Sequence, residues 1–599
     1  MQSWGRARTA AMCVKDETTG AAWWGALLMA AALLLALAAG ARAQDAMAEP
    51  TPAPEAAAAD LGDNAAAAAA MGDNGAAENR ISTLPDPNLP PSNVPVAENA
   101  IQLSLDDAVT IAIQRNLGLL VERYDRQQFH LRIGESLGIY DLALGAQGYE
   151  ESETSPSTSR LTGESVLTSK RRNFNFSVDQ LAPWGGVGTT SFNLFRQESN
   201  SRDVALNPLY ASDLDFIYTQ PLLRNFGRAT TERGIRIARI NSDISRETFE
   251  QQVATTLQLV ENAYWDLVQA RKEVEVAQES LGLAQDLHRM NKVRVDVGTL
   301  APLELVQSEV GIATRQESII LAQQTRDNAE DTLRQLLHFE EGQLWDLPII
   351  PTTPPETPAT QIDLAQAIST ALQERPELRN QELQIDLRAL DVAFFRNQAL
   401  PQLNLTARYG YNGIGGTVRN PTTGEVIQTG DATDAVRQLR DRDFDGWRLQ
   451  LDFAYPLQNR AARARKAIAD VSLEQGKTQM TQLQETVRTE VRRAVRGVRT
   501  AQQEIESAGA SSRLAEQNLD AERKRYENGL STSFQVLQIQ EDLTEARSRQ
   551  VAAIAGYRRA LAEYYRSIGQ LLDAEGVELD DPLNVEHVDR FGWSIGTAP

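Results

Sequence analysis

One cysteine in 599 residues leaves almost no room for thiol chemistry. That residue, Cys13, lies in a segment read below as a leader. The rest of the chain is therefore expected to hold no disulfide, no zinc–thiolate site and no cysteine nucleophile. Histidine is nearly as scarce. His130, His288, His338 and His587 stand in separate segments without metal-ligand spacing. His288 continues a seven-residue rhythm, which suits a packed position or one near a helix tip. No glycine-rich phosphate loop precedes a helix. Carboxylate pairs abound, but on the helical faces of an acidic chain they read as solvated charge. No enzyme, cofactor or metal is expected. Positive charge is also short: 59 Lys and Arg against 81 Asp and Glu give a net charge of −22 and a pI near 4.8. Phosphate neutralisation needs clustered Lys and Arg, so no nucleic-acid partner is expected. Beyond residue 40 no apolar run approaches the roughly 20 residues of a membrane-spanning helix. If this chain crosses a membrane, it does so by strands.

The first 43 residues carry an address. Arg6, Arg8 and Lys15 precede the apolar run AAWWGALLMAAALLLALAAG, and Ala41-Arg42-Ala43 is a small-x-small cleavage pattern. Residues 1–43 read as a secretory signal peptide, with an uncleaved signal anchor as the alternative. No cysteine follows the run to carry a lipid. Residues 44–100 are an Ala/Pro-rich stretch that cannot bury a core and read as a disordered tether. Residues 572–599 read as a C-terminal tail.

Between these ends three landmarks occur twice in the same order. LSLDDAVTIAIQRNLGL from Leu103 matches IDLAQAISTALQERPEL from Ile362. YTQPLLRNFGRA from Tyr218 matches FAYPLQNRAARA from Phe453. RVDVGTLAPLELVQSE from Arg294 matches RYENGLSTSFQVLQIQE from Arg525. The chain is thus read as two copies of one unit, 101–345 and 360–571, joined by a Pro-rich linker at 346–359. Like segments of the two copies are expected side by side.

Each unit reads as helix, strands, long helix, turn, helix. Val253, Val260, Leu267, Val274 and Leu281 recur every seven residues, with Leu257 and Tyr264 at the four-residue offset. Val491, Val498 and Ile505 repeat the pattern, as do Ile554, Leu561 and Ile568. Seven-residue spacing is the coiled-coil signature. From Thr231 to Val295, and from Arg460 to Glu527, nothing breaks the helix, giving roughly 100 Å at 1.5 Å per residue. The strands alternate. In WRLQLDFAYPL, Trp447, Leu449, Leu451, Phe453 and Tyr455 share one face, while Arg448, Gln450 and Asp452 share the other. Trp447 and Tyr455 bound an apolar run of roughly 26 Å. PQLNLTARYGY, with Tyr409 and Tyr411 near its end, DLALGAQGY and DLDFIYTQPL alternate likewise. Aromatic residues capping such a band match the girdles of outer-membrane barrels. A sandwich strand with one solvated face is the alternative. Four strands of about ten residues cannot close a barrel, so oligomerisation is expected, a trimer giving about twelve. The hairpin at 171–198 would be an external extension or would widen the barrel. The insert from Gly413 to Asp445 reads as a surface loop.

This duplicated helix–strand–strand–helix unit resembles the TolC-type outer-membrane efflux proteins over 101–571. Its most specific landmark is Arg525-Tyr526-Glu527-Asn528-Gly529, answered by Arg294-Val295-Asp296-Val297-Gly298, where the Tyr is replaced. YWDLVQAR at Tyr264 and QPLL at Gln220 also look like that family. The resemblance implies a mainly α fold with a small β-barrel. It implies a homotrimer, with a twelve-stranded barrel among outer-membrane lipids and an α-helical tunnel crossing the periplasm. It implies that the turns Val297-Gly298-Thr299 and Asn528-Gly529-Leu530 dock a periplasmic adaptor (membrane fusion) protein, and through it an inner-membrane transporter. Tight turns between long helices need glycine in any case, and a plain turn is the alternative. Residues past the turns, by the same resemblance, line the tunnel aperture: Glu304 in the first copy, and Gln535 and Gln538 where the family has aspartates. That departure weakens any carboxylate ring. Arg294, Arg525 and Tyr526 lie beside it, and the arginines are expected either to latch the closed tip onto carboxylates of neighbouring helices or to be solvated. The functions implied are a passive export duct, for small molecules or for type I protein secretion. The alternative is a periplasmic coiled-coil adaptor or scaffold without a pore.

Overall fold

The computed structural model describes residues 96–97, 100–157, 162–202, 204–339, 345–357, 361–420, 423 and 425–577. All belong to the compact unit Pro87–Pro599. The leader, nearly all of 44–100 and residues 578–599 of the tail lie outside the described residues. In chain order come β1 (Val96–Ala97), β2 (Ala100–Leu103), α1 (Leu105–Arg115), α2 (Leu117–Leu137), β3 (Ala143–Pro156), β4 (Val166–Leu181), β5 (Val187–Ser199), β6 (Leu206–Pro221), α3 (Arg233–Asp296) and α4 (Pro302–Leu337). After β7 (Ile349–Pro351) follow α5 (Leu364–Glu374), α6 (Pro376–Gln398), β8 (Gln402–Arg419), β9 (Val426–Gln428), α7 (Ala432–Asp441), β10 (Asp445–Ala454), α8 (Arg460–Glu527) and α9 (Ser533–Ile568).

The 64 residues of α3 and the 68 of α8 correspond to about 96 and 102 Å of helix. Their ends fall within two residues of the sequence-based limits. The heptad residues Val253, Leu257, Val260, Tyr264 and Leu267 are completely buried, as are Val491 and Val498. Each such side chain contributes about 1.5–3 kcal/mol by leaving water. α3 turns back into α4, and α8 into α9, while α9 packs on α3. The lateral order is therefore α4–α3–α9–α8, with α4 and α8 as open edges.

A three-stranded belt crosses these helices. β2 pairs with β1 antiparallel and with β7 parallel, Ile101 opposite Ile349. The Pro-rich linker is thus not merely a tether. Its Ile349 is buried among Leu103, Leu257, Val260 and Trp265. Tyr264 explains the attachment: its hydroxyl donates to the Leu103 carbonyl (3.1 Å) and accepts from the Thr353 N–H (3.0 Å).

The remaining strands form one antiparallel sheet in the order β10-β8-β6-β5-β4-β3, with the short β9 attached to β8. This corrects the expected count of four strands per chain. The hairpin at 171–198 enters the wall in line: β4 pairs with β3 from Ala143↔Asp179 to Pro156↔Val166, and β5 pairs with β6 from Val187↔Thr219 to Gln197↔Leu209. Several strands exceed ten residues, up to 18 in β8. Pairing continues past the apolar band because backbone hydrogen bonds do not depend on which face is apolar. The Gly413–Asp445 insert is more than a loop. Asp431 caps α7 with a capping box, and Ala435 and Leu439 are buried against β8 and β6.

Candidate functional site

Two places carry the chain's distinctive chemistry: the far tips of the long helices, and the two faces of the sheet.

At the first tip Val297 ends α3 and Gly298 takes φ +76°. The Thr299 N–H reaches back to the Arg294 carbonyl (2.8 Å) and the Gly298 N–H to Val295 (3.0 Å). At the second tip Asn528 ends α8, and Gly529 again takes φ +76°. The Leu530 N–H reaches the Arg525 carbonyl (2.9 Å) and the Gly529 N–H reaches Tyr526 (3.0 Å). Both tips are the same Schellman cap, in which only glycine avoids a steric penalty.

Arg294 joins the two. Its guanidinium donates to the carbonyls of Tyr526 (2.9 Å) and Glu527 (2.8 Å) and lies 4.5 Å from the Tyr526 ring centroid. A cation thus sits on the negative end of the α8 dipole, where it is favoured. Arg294 therefore meets backbone carbonyls where carboxylates were expected. Among the described residues Arg525 reaches only its own helix, at Glu522 (3.4 Å), and is 68% exposed. Tyr526 is buried in an apolar cluster with Leu287, Leu519, Val536 and Leu543, and its hydroxyl donates to the buried Asn291. Burial pushes its pKa up, against the opposing pull of Arg294.

Past the turns, Glu304 in the first turn of α4 accepts from the buried Ser533 hydroxyl at the start of α9. Gln535 serves the start of α9. Its side-chain oxygen accepts from the Thr532 N–H and from Ser531, while its own N–H donates to Thr532. Gln538 is exposed. His288 meets Ser308 across the α3–α4 hairpin (2.9 Å). Around both turns Val297, Leu303, Leu530 and Phe534 are exposed, Leu530 to 80%. Val297 and Leu530 belong to the turns named from the sequence, whereas Leu303 and Phe534, which flank them, were missed.

The sheet has one apolar and one polar face, in phase across all six strands. Pairing sets Trp447 beside Tyr409, Leu449 beside Ala407, Leu451 beside Leu405 and Phe453 beside Leu403. The same face continues through Phe216, Leu214, Phe192 and Phe176 to Ala146. The other face carries Arg448, Gln450, Asp452, Arg408, Asp215, Asn193 and Asn175. There Arg408 holds Asp215 with two hydrogen bonds of 2.8 and 2.6 Å. Tyr409, Tyr411 and Trp447 stand at the end of the band far from the long helices. Tyr455, just beyond β10, stands at the near end. Trp184 also stands at the near end, in the β4–β5 turn, with Tyr218 as its hydrogen-bond acceptor. No helix among the described residues is long and apolar enough to cross a membrane.

The profile of the family described as "Outer membrane efflux protein" matches residues 220–337 and 367–570, more than half of the chain. The chain belongs to the outer membrane efflux protein family. The matched stretches contain both Schellman-capped tips. Among curated relatives, the pyoverdine export outer membrane protein OpmQ of Pseudomonas aeruginosa is 28% identical over 184 residues, 30% of this chain and 37% of that protein. The protein of the same name from Pseudomonas putida is 23% identical over 354 residues, 56% of this chain and 67% of that one. The chain thus matches little over a third of the first relative's length. Among solved structures, the outer-membrane channel OprN aligns with a TM-score of 0.57 at 15% identity, covering 78% of this chain and 90% of that one. The Campylobacter jejuni CmeC outer membrane channel aligns at 0.56 and 14% identity, covering 78% and 86%. At these identities the likeness is one of fold. It is the fold of the outer-membrane channels named.

Proposed function

We propose that three copies of this chain form the outer-membrane duct of a tripartite export machine. The long helices form a tunnel into the periplasm. The tip turns Val297–Thr299 and Asn528–Leu530 dock a periplasmic adaptor, which couples the duct to an inner-membrane transporter. The observation that carries this reading is the pair of like tips, built by the same cap and bonded together by Arg294. A partner with a repeated hairpin tip would meet two equivalent turns side by side, each with an exposed apolar rim. The open edges α4 and α8 support the trimer. They leave Val306, Val310 and Ile320 on one, and Ile468, Val471 and Leu514 on the other, exposed within a single copy. The cargo is proposed to be small molecules rather than protein, in line with the pyoverdine export relatives. Transport energy comes from the inner-membrane partner, and the tip opens by outward movement of the helix pairs.

A pore-free periplasmic scaffold would leave Trp447, Leu449, Leu451 and Phe453 in water, Trp447 being 76% exposed in the isolated chain. Lipid contact removes that cost. The docking test uses cysteines at Val297 and Leu530, both exposed, which spares the positive-φ glycines. Oxidative cross-linking in cells should yield an adduct that mass spectrometry identifies as a periplasmic adaptor. Absence of any adduct at both sites rejects docking at the tips.

A further inference from the structure

Barrels made of six strands do not close on themselves; about eight is the smallest that encloses packed side chains. Among the described residues the sheet ends in two unpaired edges, β3 and β10, and every residue of β10 is exposed. We propose that β10 of one copy pairs with β3 of the next, so that three copies close an eighteen-stranded wall rather than a twelve-stranded one. This rests on the trimeric duct proposed above and goes beyond it in the number of strands and the width of the opening.

Four observations carry the count. The β4–β5 hairpin is hydrogen-bonded into the wall on both sides over most of its length, not appended to one edge. It is also in phase. Phe174, Phe176 and Val178 lie beside Leu194, Phe192 and Thr190 on the apolar face, while Asn175, Ser177 and Asp179 lie beside Asn193, Ser191 and Thr189 on the polar face. A hairpin standing free in water would have no reason to keep one face for lipid and one for the lumen at the same level as its neighbours. Third, its turn is seated. The Gly227 N–H donates to the Trp184 carbonyl (3.0 Å), and a Cβ on Gly185, at φ +91°, would meet the Asn225 oxygen at 2.5 Å. Fourth, the two edges match. Six strands alternate in direction, so β10 runs opposite to the β3 of a neighbour, as the antiparallel ladder needs. Leu144 and Ala146 on β3 share the apolar face that Leu449 and Leu451 occupy on β10.

With strands about 4.8 Å apart and tilted about 40°, eighteen give a backbone diameter of about 36 Å and twelve about 24 Å. The wider wall makes the membrane section an open vestibule and leaves control of passage to the helix tips.

The test is electron cryo-microscopy of detergent-extracted full-length protein, beside a variant in which residues 157–205 are replaced by a short turn joining β3 to β6. The deletion keeps both faces in phase, because Ala146 and Leu214 lie in the same row through Phe176 and Phe192. The expected result is a threefold barrel of about 36 Å that narrows to about 24 Å in the variant. A threefold wild-type barrel of about 24 Å overturns the inference alone. A particle without threefold symmetry overturns the inference and the duct reading together. Should the deletion variant fail to fold, cysteine pairs decide: Leu449 or Leu451 with Leu144 or Ala146 should link copies on a denaturing gel, while Ala146 with Leu214, set side by side only in a twelve-stranded wall, should give no link within a copy. Links from β10 to a cysteine at Phe192, with none to β3, overturn the inference.

Discussion

Arg294 ends one helix and caps another. Its two hydrogen bonds to carbonyls of α8, each charge-assisted, contribute roughly 1.5–3 kcal/mol apiece. They are made in every copy. Arg294→Ala should therefore loosen the tip and raise single-channel conductance in planar bilayers. Arg525→Ala, which removes a long contact to Glu522 on the same helix, should leave conductance unchanged. Equal effects of the two would reject the role given to Arg294. The sequence places both arginines in like motifs and does not distinguish them. The difference arises because Tyr replaces Val295 in the second copy, and its ring forms the shelf on which Arg294 lies. A second residue carries a pH dependence. Glu261 is buried in α3, and burial, with repulsion from Glu575, raises its pKa to about 8, opposed by Arg558. Its folded value lies above the ordinary 4.5, so the stabilising protonated form is fully present at low pH and is lost as pH rises through about 8. Melting temperature should fall across that window in the wild type and flatten in Glu261→Gln, as calorimetry in detergent would register.

At the scale of elements, β10 shows what alternation does. Leu451 and Asp452 are neighbours in sequence and opposites in environment. Leu451→Arg places a charge in mid-band on the face proposed to meet lipid and should cost about 2–4 kcal/mol. The expected outcome is loss of heat-resistant trimer from outer-membrane fractions. Asp452→Arg, on the face proposed to line the lumen, should leave trimer yield unchanged. The two long helices were legible to within two residues, because seven-residue spacing and the glycine turns are local signals. Strand faces were legible for the same reason. The place of the hairpin in the sheet order was not. Its own sequence is the same whether it joins the wall or stands outside it. Only pairing with β3 and β6 decides. α7 was hidden in a polar insert because only Ala435 and Leu439 of its residues are buried, too few to give a periodic signal.

At the scale of the molecule, the duplication was legible from three repeated landmarks, and the structure sets like parts side by side. The tips are the clearest case, since residues more than 230 positions apart share one cap. What composition concealed was the linker. Five prolines between 348 and 358 suggested a spacer, yet the strand Ile349–Pro351 among them completes the belt. Ile349→Asp, which places a carboxylate in a fully buried site of the belt core, should abolish folding in outer-membrane fractions by leaving that charge unpaired. A trimer of normal yield would show that the belt is dispensable.

The belt also imposes an order in time. β2 stands at the start of the described chain, but its parallel partner β7 appears only some 250 residues later. When the first repeat has been delivered across the inner membrane, Ile101, Leu103 and Tyr264 still lack the strand that covers them. The first repeat is thus not closed by its own last helix, and the linker strand beyond it is part of its core. Until the linker follows, the core of the first is open, and in that interval it is a client for any holding chaperone that binds exposed apolar chain.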